Sequence, residues 1–119
     1  MSLKNQGNEA YKQRQYHDAL KYYEQGLHLK PDEPTLSLNK GLMHFTLRQF
    51  DETVKACRTA LQFDPQYFKA RFYLAKACCE LALYDDALIE INHCLAQKPG
   101  DKDCLQLKDQ CSSAQHVPK

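Results

Sequence analysis

Proline recurs in this 119-residue chain at a fixed interval, with Pro31, Pro65 and Pro99 standing 34 residues apart. The same shift carries Tyr16 to Phe50 to Tyr84, Asp18 to Glu52 to Asp86, Leu20 to Val54 to Leu88, and Leu27 to Leu61 to Leu95. Small residues align too: Gly7 with Gly41 and Ala75, and Gly26 with Ala60 and Cys94. Such repetition marks copies of one supersecondary unit that must stack, because a single unit cannot bury its apolar face alone.

Each copy reads as two helices. In the second, Leu38, Leu42 and Phe45 recur at helical spacing, Arg48-Gln49 interrupts, and Phe50, Val54, Cys57, Ala60 and Leu61 resume the period. The third has Phe72, Leu74, Cys78 and Leu81, a break near Ala82, then Ala87, Leu88, Ile91 and Leu95. Small residues in the aligned Gly and Ala columns let paired helices approach closely, and Tyr16, Phe50 and Tyr84 fill the space at the turn. Each proline stops a second helix and starts the link to the next copy. After Gly100, Asp101 caps a last helix through about Ser113, with Cys104, Leu107, Lys108 and Cys111 along one side. That helix covers the apolar face the last copy would otherwise leave in water. Residues 114–119 are expected to fray.

Sixteen Lys and Arg against fifteen Asp and Glu give a net charge of +1, so bulk charge supports neither nucleic acid nor an anionic membrane as partner. No apolar run approaches the roughly 18 residues of a membrane span, and no charged-then-apolar leader opens the chain. Met1-Ser2 runs straight into the first helix, as expected of one module from a longer polypeptide. Cys57, Cys78, Cys79, Cys94, Cys104 and Cys111 include no Cys-x-x-Cys pair and no matching histidine spacing. They are expected to be unpaired thiols serving as small apolar side chains, which suits a reducing, cytoplasmic setting.

The period and the Ala-x-x-x-aromatic-then-Pro half, kept as Ala19, Tyr23, Gly26 and Pro31, resemble the tetratricopeptide repeat. The second copy substitutes Thr53 and Cys57, and the third has Ala87 and Ile91. The large aromatic that often opens the family's first helix is missing in all three. The resemblance covers roughly residues 3–101. It implies an all-α superhelix of three helix-turn-helix repeats, at about 1–33, 34–67 and 68–101, with a capping helix at about 101–113, in one domain. Its concave groove would be lined by the first helix of each repeat.

Catalysis finds no support. His17, His28, His44, His93 and His116 fall on dissimilar positions, where a scattered histidine is a surface or edge residue, and none has a partner at triad or ligand spacing. The four glycines are too dispersed for a phosphate loop, and no cofactor or metal is implied. Recognition remains. Lys4, Asn8, Tyr11 and Lys12, then Leu38, Asn39, Leu42 and Phe45, then Lys69, Phe72, Tyr73 and Lys76 fall on first helices at related heights. Lys4 and Asn8 are four apart, as are Lys69 and Tyr73, so each pair shares a helix face. A groove with ammonium groups, amide donors and aromatic pockets wants an extended peptide with clustered carboxylates.

Within the family, Leu3-Lys4-x-x-Gly7-Asn8-Glu9-Ala10, Asn39 inside Leu38-Asn39-Lys40-Gly41, and Lys69-Ala70-Arg71 look like the dicarboxylate clamp of heat-shock cochaperones. The resemblance implies that Lys4, Asn8, Asn39 and Lys69 hold the final Asp of a chaperone tail ending Glu-Glu-Val-Asp. Tyr11, Lys12, Leu42, Phe45, Phe72, Tyr73 and Lys76 would be further groove contacts. Tyr11, Phe45 and Phe72 fit inter-helix core and peptide pocket equally. Many clamp proteins carry an Arg one turn after the last Lys, where this chain has Tyr73; the run Lys69-Ala70-Arg71-Phe72-Tyr73-Leu74 is similar to that of the U-box ubiquitin-ligase cochaperone. Arg71, two residues from Lys69, should point elsewhere. A lone Lys or Asn on an exposed helix face is an ordinary solubilising residue; four in the clamp register point to binding. The competing reading is a general assembly scaffold that holds a protein partner without recognising a C-terminal carboxylate.

Overall fold

The computed structural model describes residues 2–115, and everything there is helix or short connection. Seven helices run α1 Leu3–Lys12, α2 Tyr16–Leu29, α3 Pro34–Thr46, α4 Phe50–Phe63, α5 Phe68–Glu80, α6 Tyr84–Gln97 and α7 Lys102–Gln115. Helices pack on their chain neighbours throughout, with lighter contacts of α3 to α5 and α5 to α7. The stack measures 48 × 28 × 21 Å. No helix among the described residues is long and apolar enough to cross a membrane.

The second helices end two residues before each periodic proline, at Leu29, Phe63 and Gln97. The residue between, Lys30, Asp64 or Lys98, leaves the helical region for ψ 80 to 87°, since a following proline disfavours helical backbone. Pro34 occupies the first turn of α3, where its missing N–H costs nothing. The turns inside the repeats obey the same period in a way composition conceals. Arg14, Arg48 and Ala82 all take left-handed φ values of 60 to 61°, although none is glycine. At each, the next amide donates to a carbonyl five residues back: Gln15 to Ala10 at 2.8 Å, Gln49 to His44 at 2.7 Å and Leu83 to Cys78 at 2.8 Å. These are three Schellman ends on one 34-residue register.

Two apolar cores meet at α3. The smaller gathers Ala10, Ala19, Tyr23, Leu36 and Met43. The larger runs from Leu38 and Val54 through Cys57, Leu74 and Ile91 to Leu107 and Cys111, and Leu42 packs against both. Leu38 therefore belongs to the core and not to the groove lining, being 1% exposed. His44 departs from the expected surface placement; it is buried, with Nδ1 2.8 Å from Gln49 Oε1.

The cysteines divide. Cys57, Cys78, Cys94 and Cys104 are free and buried, and burial pushes the Cys57 and Cys104 thiols up to about 12, so they stay protonated. Cys79 and Cys111, by contrast, form a disulfide from α5 to α7, with Cα atoms 6.1 Å apart. The expectation of six unpaired thiols is corrected on this point: the superhelix brings together two residues 32 apart in sequence that no local spacing connects. Helix α7 starts where Asp101 accepts from the Cys104 amide at 3.0 Å, and it continues to Gln115, past the expected Ser113. Ala114 and Gln115 are thus helical and not tail; the remainder of the tail, with His116, lies outside the described residues.

Candidate peptide-binding groove

Asn8 sits in the second turn of α1, a residue after Gly7. A Cβ on Gly7 would stand 2.4 Å from the Tyr23 ring, so only glycine lets that ring lie this close to α1. Tyr23 is 2% exposed, and its hydroxyl donates to Asn8 Oδ1 at 2.5 Å. Asn39, on α3, donates its Nδ2 to the same oxygen at 3.4 Å. The Asn8 carbonyl is thereby engaged twice, which sets the amide so that its NH2 is the free end. Burial, with the Tyr11 phenol adding, pushes the Tyr23 hydroxyl up to about 12, so it remains a donor.

Around this pair lies a recess of about 430 Å³. Leu42 and Phe45 form part of its wall from α3, Lys69, Tyr73 and Lys76 from α5, and Tyr11, 45% exposed, from α1. A second recess, about 610 Å³, shares Lys69, Tyr73 and Lys76, adds Phe72, and is bounded by Phe68, Lys98 and the α7 residues Asp103, Gln106 and Leu107. The two are consecutive parts of one groove with α5 as their common wall. Phe45, Phe72 and Tyr73 stack edge to face, Tyr73 5.6 Å from Phe45 and 5.5 Å from Phe72. Among the described residues neither Lys69 nor Lys76 enters an ion pair.

Of the residues singled out from sequence, Asn8, Asn39 and Lys69 meet at one recess. Lys4 does not join that wall; it is exposed and lines a separate hollow of about 330 Å³ with Leu29, Lys30, Glu33 and Leu36. Glu33 there is held below the ordinary carboxylate value, first by the Thr35 hydroxyl and then by Lys4 and Lys30 nearby. Lys12 is exposed at the end of α1, outside the walls of both recesses. Arg71 turns away, its guanidinium 2.7 Å from Glu90 on α6 and 2.9 Å from the Pro65 carbonyl. Tyr23 is the groove residue that sequence reading left to the fold. One signal was available: its aligned positions are Cys57 and Ile91, so only the first repeat puts a hydroxyl there.

No group of three or more His, Cys, Asp or Glu among the described residues is arranged to hold a metal. The first recess offers amide hydrogens and ammonium groups beside aromatic faces, and the second adds the carboxylates of Asp101 and Asp103.

Tetratricopeptide repeat profiles match residues 4–68 and 44–111. The chain belongs to the tetratricopeptide repeat family. Serine/threonine-protein phosphatase 5 of Rattus norvegicus is 26% identical over 110 residues, 92% of this chain but 22% of the phosphatase. The Hsp70-Hsp90 organising protein of Plasmodium falciparum is 35% identical over 81 residues, 67% of this chain and 14% of that protein. The chain thus spans about a fifth or less of these relatives. Among solved structures, the first TPR of Spaghetti (RPAP3) bound to the HSP90 peptide SRMEEVD superposes with a TM-score of 0.93 at 25% identity, covering 97% of this chain and 91% of that one. The OM64 TPR domain of Arabidopsis gives 0.89, also at 25% identity, covering 97% and 93%.

Proposed function

We propose that this chain is a binding module, not an enzyme, whose groove takes the acidic C-terminal tail of a cytosolic heat-shock chaperone, of the Glu-Glu-Val-Asp type, through a dicarboxylate clamp. The observation that carries the reading is the Asn8–Asn39 pair. With the Asn8 oxygen engaged by Tyr23 and Asn39, amide hydrogens from both residues are left for an incoming acceptor, and the Lys69 ammonium lines the same recess without a carboxylate partner. Donors without acceptors beside an unpaired cation suit a carboxylate. A C-terminal Asp brings two of them on one residue, which an internal segment does not. Lys4, one turn before Asn8 on α1, is the fourth residue of the reading, although it lines the neighbouring hollow. The Spaghetti domain, similar at 25% identity, carries a peptide ending in the same four residues. The cytoplasmic setting follows from the partner; the cysteine argument for it now rests on four free thiols.

Three or four charge-assisted hydrogen bonds of about 1.5 to 3 kcal/mol each, less the cost of ordering a flexible tail, give roughly micromolar affinity. Calorimetric titration with a Glu-Glu-Val-Asp peptide as free acid and as C-terminal amide tests this. The free acid binds more tightly, binding weakens as salt rises, and Lys69→Ala or Asn39→Ala costs at least about tenfold. Equal affinity for acid and amide sinks the clamp. Partner binding that survives loss of Lys4, Asn8, Asn39 and Lys69 together returns the chain to a general assembly scaffold.

A further inference from the structure

Lys76 is the one groove cation placed by aromatic rings on several sides. Its Nζ lies 5.5 Å from the centroid of Phe45, on α3, and 5.7 Å from those of Phe72 and Tyr73, on α5. These distances fall within the range where a ring quadrupole attracts an ammonium. Three rings restrict a side chain that would otherwise sample many rotamers, yet they satisfy none of its three N–H donors. No carboxylate of the described residues pairs with it. A cation so restrained and left without an anion is prepared for one from outside.

Its position says which one. Lys76 lines both recesses, so a peptide that fills the first and runs on into the second must pass it. Lys69 and Lys76 are seven residues apart on α5, two turns, a rise of about 10.5 Å. An extended chain covers that in about three residues. We infer that Lys76 is a specificity-determining residue that receives the side-chain carboxylate of a glutamate three places upstream of the terminal Asp, a second anion position distinct from the Asn8–Asn39–Lys69 set. This rests on the clamp reading and adds to it a preference within the tail. The aromatic rings contribute twice, by orienting the ammonium and by offering apolar faces to the methylenes of that glutamate.

A double-mutant cycle tests it. Wild type, Lys76→Met and Lys76→Arg are titrated with a free-acid peptide ending Glu-Glu-Val-Asp, with two versions carrying a single Glu→Gln at either glutamate, and with the C-terminal amide. Methionine keeps the unbranched stem among the rings, so thermal melts of all three proteins should coincide. Lys76→Met is expected to weaken the parent peptide about fivefold, the upper range for a partly exposed ion pair. It should make no further difference to the peptide with Gln at the first glutamate, and Lys76→Arg should restore the preference. Equal weakening of every peptide, or none, overturns the assignment while a retained acid-over-amide preference leaves the clamp standing. Loss of that preference in wild type overturns both.

Discussion

The two cores of this molecule hold the same groove by different means. The larger, from α3 to α7, is made of alanine, thiol and branched aliphatic side chains with few polar atoms, and it supports the α5 wall that presents Lys69 and Lys76. The smaller, under α1 and α2, is centred on Tyr23, an aromatic whose polar end passes through the core to reach Asn8. One core therefore fixes its groove side chains by the rigidity of the helix beneath them. The other fixes an amide by a hydrogen bond from inside. A site that must present a correctly turned amide needs the second arrangement, since packing alone does not distinguish an amide's oxygen from its nitrogen.

The strongest way to break the contrast is Gly7→Ala, which drives a methyl into the Tyr23 ring. Overpacking of this kind costs about 2 kcal/mol, and the displaced Tyr23 releases Asn8. A thermal melt lower by roughly 10 °C together with weakened acid-peptide binding is the expected result. Arg71→Leu attacks the other core at an ion pair whose side chains are 19% and 20% exposed. Stability falls by about 1.5 kcal/mol in chemical denaturation, while affinity for peptide stays put because Arg71 faces α6 and not the groove. Ala82→Gly works in the opposite direction, relieving a left-handed residue at φ 60°, and should stabilise by about 0.5 kcal/mol. Arg48→Gly relieves the same strain but gives up the guanidinium 5.2 Å above the Phe50 ring, so its gain should be smaller.

The smallest effect is the pH-dependent part of the Tyr23 contribution, which appears at alkaline pH. Its hydroxyl titrates at about 12 when folded against an ordinary value of 10.0. The folded state thus holds that proton more tightly. The resulting stability is whole below pH 10 and is lost as pH rises towards 12. Tyr23→Phe should flatten that part of the stability profile while leaving its neutral-pH melt cooperative.

Periodicity made the helices legible because Pro31, Pro65 and Pro99 act locally, each ending the helix before it. The turns were legible as interruptions but not as Schellman ends, since Arg14, Arg48 and Ala82 carry no glycine signal for the left-handed backbone they adopt. Leu38 and Leu42 share helical spacing, yet Leu38 is sealed in the larger core while Leu42, packed against both cores, also reaches the recess. The grouping of Asn8, Asn39 and Lys69 could be read from the clamp resemblance, although shifts of 34 residues do not superpose the three positions. Tyr23 and the Cys79–Cys111 link could not, since each joins residues at unequal heights of different helices.

The smaller core is not closed by the helices that begin it. Ala10, Ala19 and Tyr23 come from α1 and α2, but Leu36 and Met43 come from α3. During synthesis, where a chain emerges from its N-terminus, the first helical pair must therefore wait for α3 before it can condense. The Asn8 oxygen gains its second partner only then, once the ribosome has delivered both asparagines.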